Sequence, residues 1–180
     1  LAQERAYLCM ACPMYQFEYS DTSHLTGRSS KALGAYLGLA IKRAVFDEVE
    51  FAPLGVIDHV KQGKVINVKF KPVGKLVFDT ALVTNPGNYG FSLVDSADTP
   101  LSIASISIRY DQVSIVATAA IPAGAKLRYA FIGGSPGQLP SRTTGPRGCL
   151  RDSQGDQIVF DQDGVNWPLH NWAVPFELPL

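Results

Sequence analysis

The chain is short of cysteine, of any charge imbalance and of long apolar runs, and each shortage removes a class of protein. Cysteine occurs at only three of 180 positions, Cys9, Cys12 and Cys149, which is too few for the disulfide framework of a small secreted scaffold and leaves the compartment open. Sixteen basic residues are matched by sixteen acidic ones, and neither sign gathers into a run. A groove that tracks phosphates needs a basic stripe, so no nucleic acid is expected as a partner. No apolar stretch reaches the roughly 18–20 residues of a membrane-spanning helix, so no membrane span is expected. The first ten residues have the form of neither a signal peptide nor a tag. What is present, 46% hydrophobic and 18% charged residues, is a globular composition at a length that fills one good core or two small ones.

Cys9-Met-Ala-Cys12 has the spacing of a redox pair, but such pairs normally open a helix. Here the pair falls in residues 6–14, AYLCMACPM, a nearly continuous apolar run that reads as a strand covered on both faces. Residues three apart on a strand point to opposite faces, so both cysteines are expected to be small buried apolar side chains. The opening LAQERAYLCMACPMY reads as a helix end entering that strand. It is as though the sequence began in mid-domain, with an N-terminal part cut away or carried separately.

A polar loop, Gln16 to Thr26, leads into a segment with helical periodicity from Gly27 to Phe46. Its apolar positions Leu33, Leu37, Ala40, Ile41, Ala44 and Val45 form one stripe. Thr26 or Ser29 can cap the start, and Lys42 and Arg43 suit the negative end of the dipole. Strand, loop and helix make the last unit of an α/β domain. After Phe51 the character changes to short runs rich in Val, Ile and aromatics: GKVINVKFKP, KLVFDTALV, YGFSLVDS, LSIASISIRY, QVSIVATA and AKLRYAFIG. Gly, Pro, Asn and Asp separate them at the spacing of a β-sandwich or jelly roll. The Pro- and Gly-rich remainder reads as a long ordered loop with one or two closing strands. No internal sequence repeat is visible.

The chemistry concentrates in YSDTSHLTGRSSKALGAYLGLA, which begins at Tyr19. A carboxylate at Asp21 can turn back on His24, accept the Nδ1 proton and leave Nε2 as a general base. The pair stands where open α/β sheets place their sites, beyond the C-terminal end of a strand. A histidine near a helix start is also a common cap or surface residue, and spacing alone leaves both readings open.

This stretch resembles the last sequence block of the SGNH (GDSL-type) esterases, in which a D-x-x-H-L pair before the final helix supplies the catalytic acid and base. Asp21 and His24 match it residue for residue. GFSLVDS, AKLRYAFIGG, GPRGCLRDSQGD and LHNWAVPFEL are similar to the tail of the sialate O-acetylesterase-like members, where an accessory β-sandwich ends with an aromatic R-Y-A strand and a closing P-F segment. The resemblance implies an α/β fragment of a three-layer SGNH domain over residues 1–50, then an accessory all-β sandwich over 51–180. It implies a carbohydrate O-acetylesterase that needs no metal or other cofactor. Its setting would be secreted, periplasmic or surface- or phage-associated. Yet the family's nucleophile block, G-D-S-x, and the Gly and Asn of its oxyanion hole are nowhere in this chain. The expected partner is therefore the N-terminal portion of the same enzyme carrying the serine, and the expected substrate an acetylated carbohydrate. Tyr15, Gln16 and Tyr19, just before the pair, are expected at the pocket mouth.

Other residues carry weaker signals. His59 lies at the entry to the first β-strand, with nothing nearby to complete a base or metal constellation. Trp167, His170 and Trp172 suit either a sugar-stacking platform or packing of the tail, the latter favoured because indoles are chiefly large buried area. Asp152, Asp156, Asp161 and Asp163 sit in turn sequences that complete no calcium loop. Arg128, Arg147 and Arg151 suit either contact with anionic sugars or pairing with those aspartates, the latter favoured. The rival to the esterase is a non-catalytic carbohydrate-binding or structural β-module that keeps an esterase helix for packing.

Overall fold

The computed structural model describes residues 10–49, 51–135 and 137–180. Cys9 and most of the apolar run 6–14 lie outside them. Residues 10–14 are not a strand, so of the expected strand–loop–helix unit the described residues show only the loop and the helix. Cys12 is half-buried, and desolvation pushes its thiol up to about 12, which suits a packed side chain and not a reactive thiolate.

Most of the regular secondary structure is β. β1 (Val56–Gln62) and β2 (Val65–Phe70) form one hairpin, and β6 (Ile103–Arg109) and β7 (Gln112–Ala117) another; between them run β3 (Leu76–Phe78), β4 (Phe91–Val94) and β5 (Pro100–Leu101). β8 (Lys126–Tyr129), β9 (Leu150–Asp152), β10 (Val159–Gln162), β11 (Val165–Pro168) and β12 (Phe176–Pro179) complete the set. Two four-stranded antiparallel sheets result, ordered β1-β2-β7-β6 and β12-β8-β4-β5, with smaller pairs β3-β9 and β10-β11. The two hairpins of the first sheet correspond position for position in burial pattern. Each also has a register irregularity near its start and a positive-φ residue in its turn, Gly63 in one and Tyr110 in the other. The repeat is one of backbone, not of sequence.

Alternation explains the core. Ile66, Val68 and Phe70 on β2 and Val113, Ile115 and Ala117 on β7 point inward, to meet Phe91, Leu93, Leu127 and Tyr129 of the other sheet in one buried cluster. The aromatic strand and closing segment named above are neighbours: Tyr129 of β8 pairs with Phe176 of β12, and their rings stack at 5.4 Å. The tail holds four strands, β9 to β12, where one or two were expected. The Asp163-Gly164 turn of the β10–β11 hairpin, with both residues at positive φ, was the missed signal.

The helix is α1 (Gly27–Ile41), continued by a π-type turn over Lys42–Phe46. Thr26 caps it by accepting the Ser29 N–H at 3.1 Å. Its buried line is Ser29, Ala32, Tyr36 and Ala40, whereas Leu37, Ile41 and Val45 of the expected stripe are exposed. The helix turns its small residues and one tyrosine toward a second cluster built from Phe17, Trp167 and Leu169. Tyr36 also donates to the His170 carbonyl at 2.8 Å. Residues on either side of position 50 thus share this packing.

Candidate active site

The Asp21–His24 loop is built locally and tied to the helix. Its ends meet through a Tyr19–Leu25 bridge, and inside it Ser20 N–H donates to the His24 carbonyl at 2.8 Å. The buried Ser29 hydroxyl accepts Glu18 N–H at 2.9 Å, which fixes the loop's entry against the first turn of α1. Asp21 folds back as an Asx turn: Oδ1 accepts the N–H groups of Ser23 and His24 at 2.8 and 2.7 Å. Its other oxygen, Oδ2, lies 2.8 Å from His24 Nδ1.

The electrostatics follow from these contacts. The Ser23 and His24 backbone donors, with the imidazole added, hold the Asp21 carboxyl well below the usual carboxylate range. Asp21 is therefore an ionised acceptor at any neutral pH, and it selects the tautomer with the proton on Nδ1. The His24 side chain is 78% exposed and Asp21 53%, so Nε2 is open to an incoming hydroxyl. Ser23 Oγ stands 3.3 Å from Nδ1, on the Asp21 side of the ring and not at Nε2.

Beside the pair opens a cleft of about 860 Å³, lined by Tyr19, Asp21, Thr22 and Thr26 and by Gln138 and Ser141 of the facing loop. His24 is not part of that lining. Tyr19 lines this cleft, whereas Gln16 lines a different, smaller one. Tyr15 does not belong to any mouth: it is buried in the sandwich core, donates to the Ala173 carbonyl at 2.6 Å and meets the Tyr129 hydroxyl. Its ring fills the gap between Tyr129 and Trp172, and burial of the apolar ring outweighed its nearness in sequence to Asp21. Gln138 and Ser141 were missed because they arrive from more than a hundred residues downstream, in a segment that reads as a turn.

The remaining candidates resolve into structural roles. His59 lies within β1, not at its entry, and shares a hydrogen bond with the Pro179 carbonyl at 3.0 Å. Trp167 and Trp172 are only 9% and 3% exposed, so neither offers a free face for stacking. Asp161 accepts the Gly164 N–H in its turn and Asp163 pairs with Lys31 at 2.8 Å. The arginines do not pair with the turn aspartates. Arg128 binds Asp98 and Glu177, Arg151 binds Asp79 at 2.7 Å, and Arg147 donates to the carbonyls of Thr84, Gly133 and Gly145.

No family model matches the chain, and no curated protein does. Among solved structures, the fold is similar to a carbohydrate acetylesterase from Xanthomonas citri, with a TM-score of 0.51 and 16% identity over 86% of this chain. The matched part is 29% of that chain, so this protein spans under a third of the length of the enzyme it resembles. A second match, to the N-terminal part of the bacterial S-layer protein SbsC, has a TM-score of 0.33 and 14% identity, over 68% of this chain and 28% of that one.

His170 supplies a pH test of the packing around the site. It is buried, and desolvation, reinforced by Arg151, lowers its pKa to about 4. The unfolded chain therefore binds a proton at higher pH than the folded one, and stability falls as pH drops from about 6.5 to about 4. The loss attributable to this group is at most about 3 kcal/mol. Urea unfolding across that window should show a shallower slope in His170→Gln than in the wild type; parallel curves would mean the ring does not titrate on unfolding.

Proposed function

We propose that this chain supplies the acid–base half of a serine ester hydrolase of the SGNH kind, acting on an O-acetylated carbohydrate. The observation that carries the proposal is the 2.8 Å contact between Asp21 Oδ2 and His24 Nδ1, with the other carboxylate oxygen held by two backbone donors and Nε2 open. His24 Nε2 would take the proton of a serine hydroxyl as that oxygen attacks the ester carbonyl. It would then return the proton to the leaving alkoxide. Asp21 orients the ring and stabilises the imidazolium between the two steps. Acyl transfer also needs the nucleophile and an oxyanion hole. In this reading both come from a polypeptide preceding Leu1, with residues 1–50 completing that catalytic domain and 51–180 forming its accessory β-domain.

Two further observations support the reading. The fold likeness is to an enzyme described as a carbohydrate acetylesterase, which bears on the kind of substrate. The outer face of α1 and its π-type extension exposes Leu37, Ile41, Val45 and Phe46, the last two 63% and 76% accessible. An apolar line of that length is suited to cover by another protein segment, and the serine-bearing polypeptide is the cover proposed here.

The test is active-site labelling with a fluorophosphonate, read by denaturing intact mass on the chain together with its upstream polypeptide. A single label on the upstream part, with residues 1–180 unmodified, is expected. Label on a serine within 1–180, or no label with both parts present, would remove the split-site reading. The second result, joined to glycan binding without acetate release, would favour the β-module.

A further inference from the structure

The outer face of the second sheet carries a cleft of about 390 Å³ that shares no lining residue with the two clefts described above. Its floor follows from strand alternation. Phe91, Leu93, Leu127 and Tyr129 point into the core, so Ser92 of β4 and Arg128 of β8 point outward. These two residues pair directly in the ladder, with Glu177 of β12 on the far side of Arg128. Phe131, just beyond β8, has its ring centroid 5.8 Å from the Arg128 Cζ and keeps 49% of its surface in solvent. Asn88 and Asp98 line the cleft from two turns.

The polar groups are fixed in place and only partly used. Asp98 Oδ1 accepts from Lys126 at 2.9 Å and from Arg128 Nη2 at 2.7 Å, while Arg128 Nε donates to Glu177. Among the described residues nothing bonds to Asp98 Oδ2 or Arg128 Nη1. An acceptor and a donor thus stand side by side with capacity to spare. The turns that carry Asn88 and Asp98 are themselves locked. Asn85 Oδ1 takes the N–H groups of Gly87 and Tyr89, and Asp95 Oδ1 those of Ala97 and Thr99, at 2.8–3.0 Å. Two cations, Lys126 and Arg128, face two carboxylates, Asp98 and Glu177, so the surface has no net charge to offer an ion.

We infer that this cleft binds an uncharged sugar ring, its apolar face on Phe131 and a vicinal pair of hydroxyls bridging Asp98 Oδ2 and Arg128 Nη1. A sugar ring joins an apolar face to closely spaced hydroxyls that both donate and accept, and this surface presents the complement of each. Covering a half-exposed phenylalanine removes apolar area from water. Side chains already held by ion pairs and locked turns lose little rotamer freedom on binding. The site is independent of ester hydrolysis, since it uses no residue of the Asp21–His24 loop or its cleft.

The test is a titration of the isotope-labelled chain with neutral β-1,4-linked tetrasaccharides of glucose, xylose, mannose and galactose, read by backbone amide NMR shifts. At least one should move the Asn88, Ser92 and Arg128 amides saturably. Phe131→Tyr should bind that sugar as the wild type does, and Phe131→Ala should bind it about tenfold or more weakly, the apolar contact being lost. Arg128→Lys, which keeps the charge and removes the planar fork, should also weaken it. Tetragalacturonate, which adds carboxylates, should bind more weakly than the best neutral tetramer. No shift at those amides with any neutral tetramer, or unchanged affinity in Phe131→Ala, would overturn the proposal. Tighter binding of tetragalacturonate would overturn it as well. His24→Ala should bind as the wild type does. Binding that persists when the fluorophosphonate labels no serine would leave this site standing without the hydrolase, and labelling without binding would do the reverse.

Discussion

His24→Ala, in the proposed esterase joined to the serine-bearing polypeptide which that proposal requires, is expected to lower kcat for acetyl-ester hydrolysis by on the order of 10⁴-fold or more. Without the imidazole no group accepts the serine proton in the attacking step, and none returns it to the alkoxide. Asp21→Ala should be about a hundredfold less severe, because the base survives while its tautomer and orientation loosen. The comparison needs a control for folding. His24 is mostly exposed, so its loss should leave the unfolding free energy within about 0.5 kcal/mol of wild type. Asp21 also ties two backbone N–H groups of its loop, so its variant may be compared only after the same check. Near-normal turnover in His24→Ala would end the assignment of a general base to this loop, whatever the fold likeness.

The second large effect concerns stability. Asp152, at the end of β9, is fully buried. Its carboxylate accepts N–H groups from Val73 at 2.8 Å and Gln154 at 2.9 Å, with longer contacts to the Asn171 backbone and side chain at 3.4 Å. Among the described residues no cation pairs with it, and burial raises its pKa despite those donors. One side chain thus holds together three segments far apart in sequence. Asp152→Ala would leave the Val73 and Gln154 amides without acceptors inside the fold. A loss of about 3 kcal/mol or more is expected from the unpaired donors and the cavity. Asp152→Asn keeps the volume and one acceptor, and it avoids the cost of a buried charge, so it should lose roughly half as much. Urea unfolding monitored by circular dichroism separates the cases. An alanine variant within 0.5 kcal/mol of wild type would show that the three segments are held by packing alone.

What residue order alone determined is local. Asp21 and His24 meet because a three-residue spacing lets the carboxylate close on both the backbone and the ring of its neighbour, whatever the rest of the chain does. Thr26 caps α1 for the same reason. The sandwich strands were legible because a half-buried strand repeats every two residues, and β2 and β7 obey that period. Tertiary structure decided which of two apolar lines on α1 is buried. The small line of Ala32, Tyr36 and Ala40 won because it fits against Phe17 and Trp167, and the bulkier line stayed outside. It also took Tyr15 into the core and brought Arg28, Arg142 and His170 around one cleft. Such meetings depend on how apolar surfaces fit together across the whole fold, and no spacing of residues along one segment encodes them.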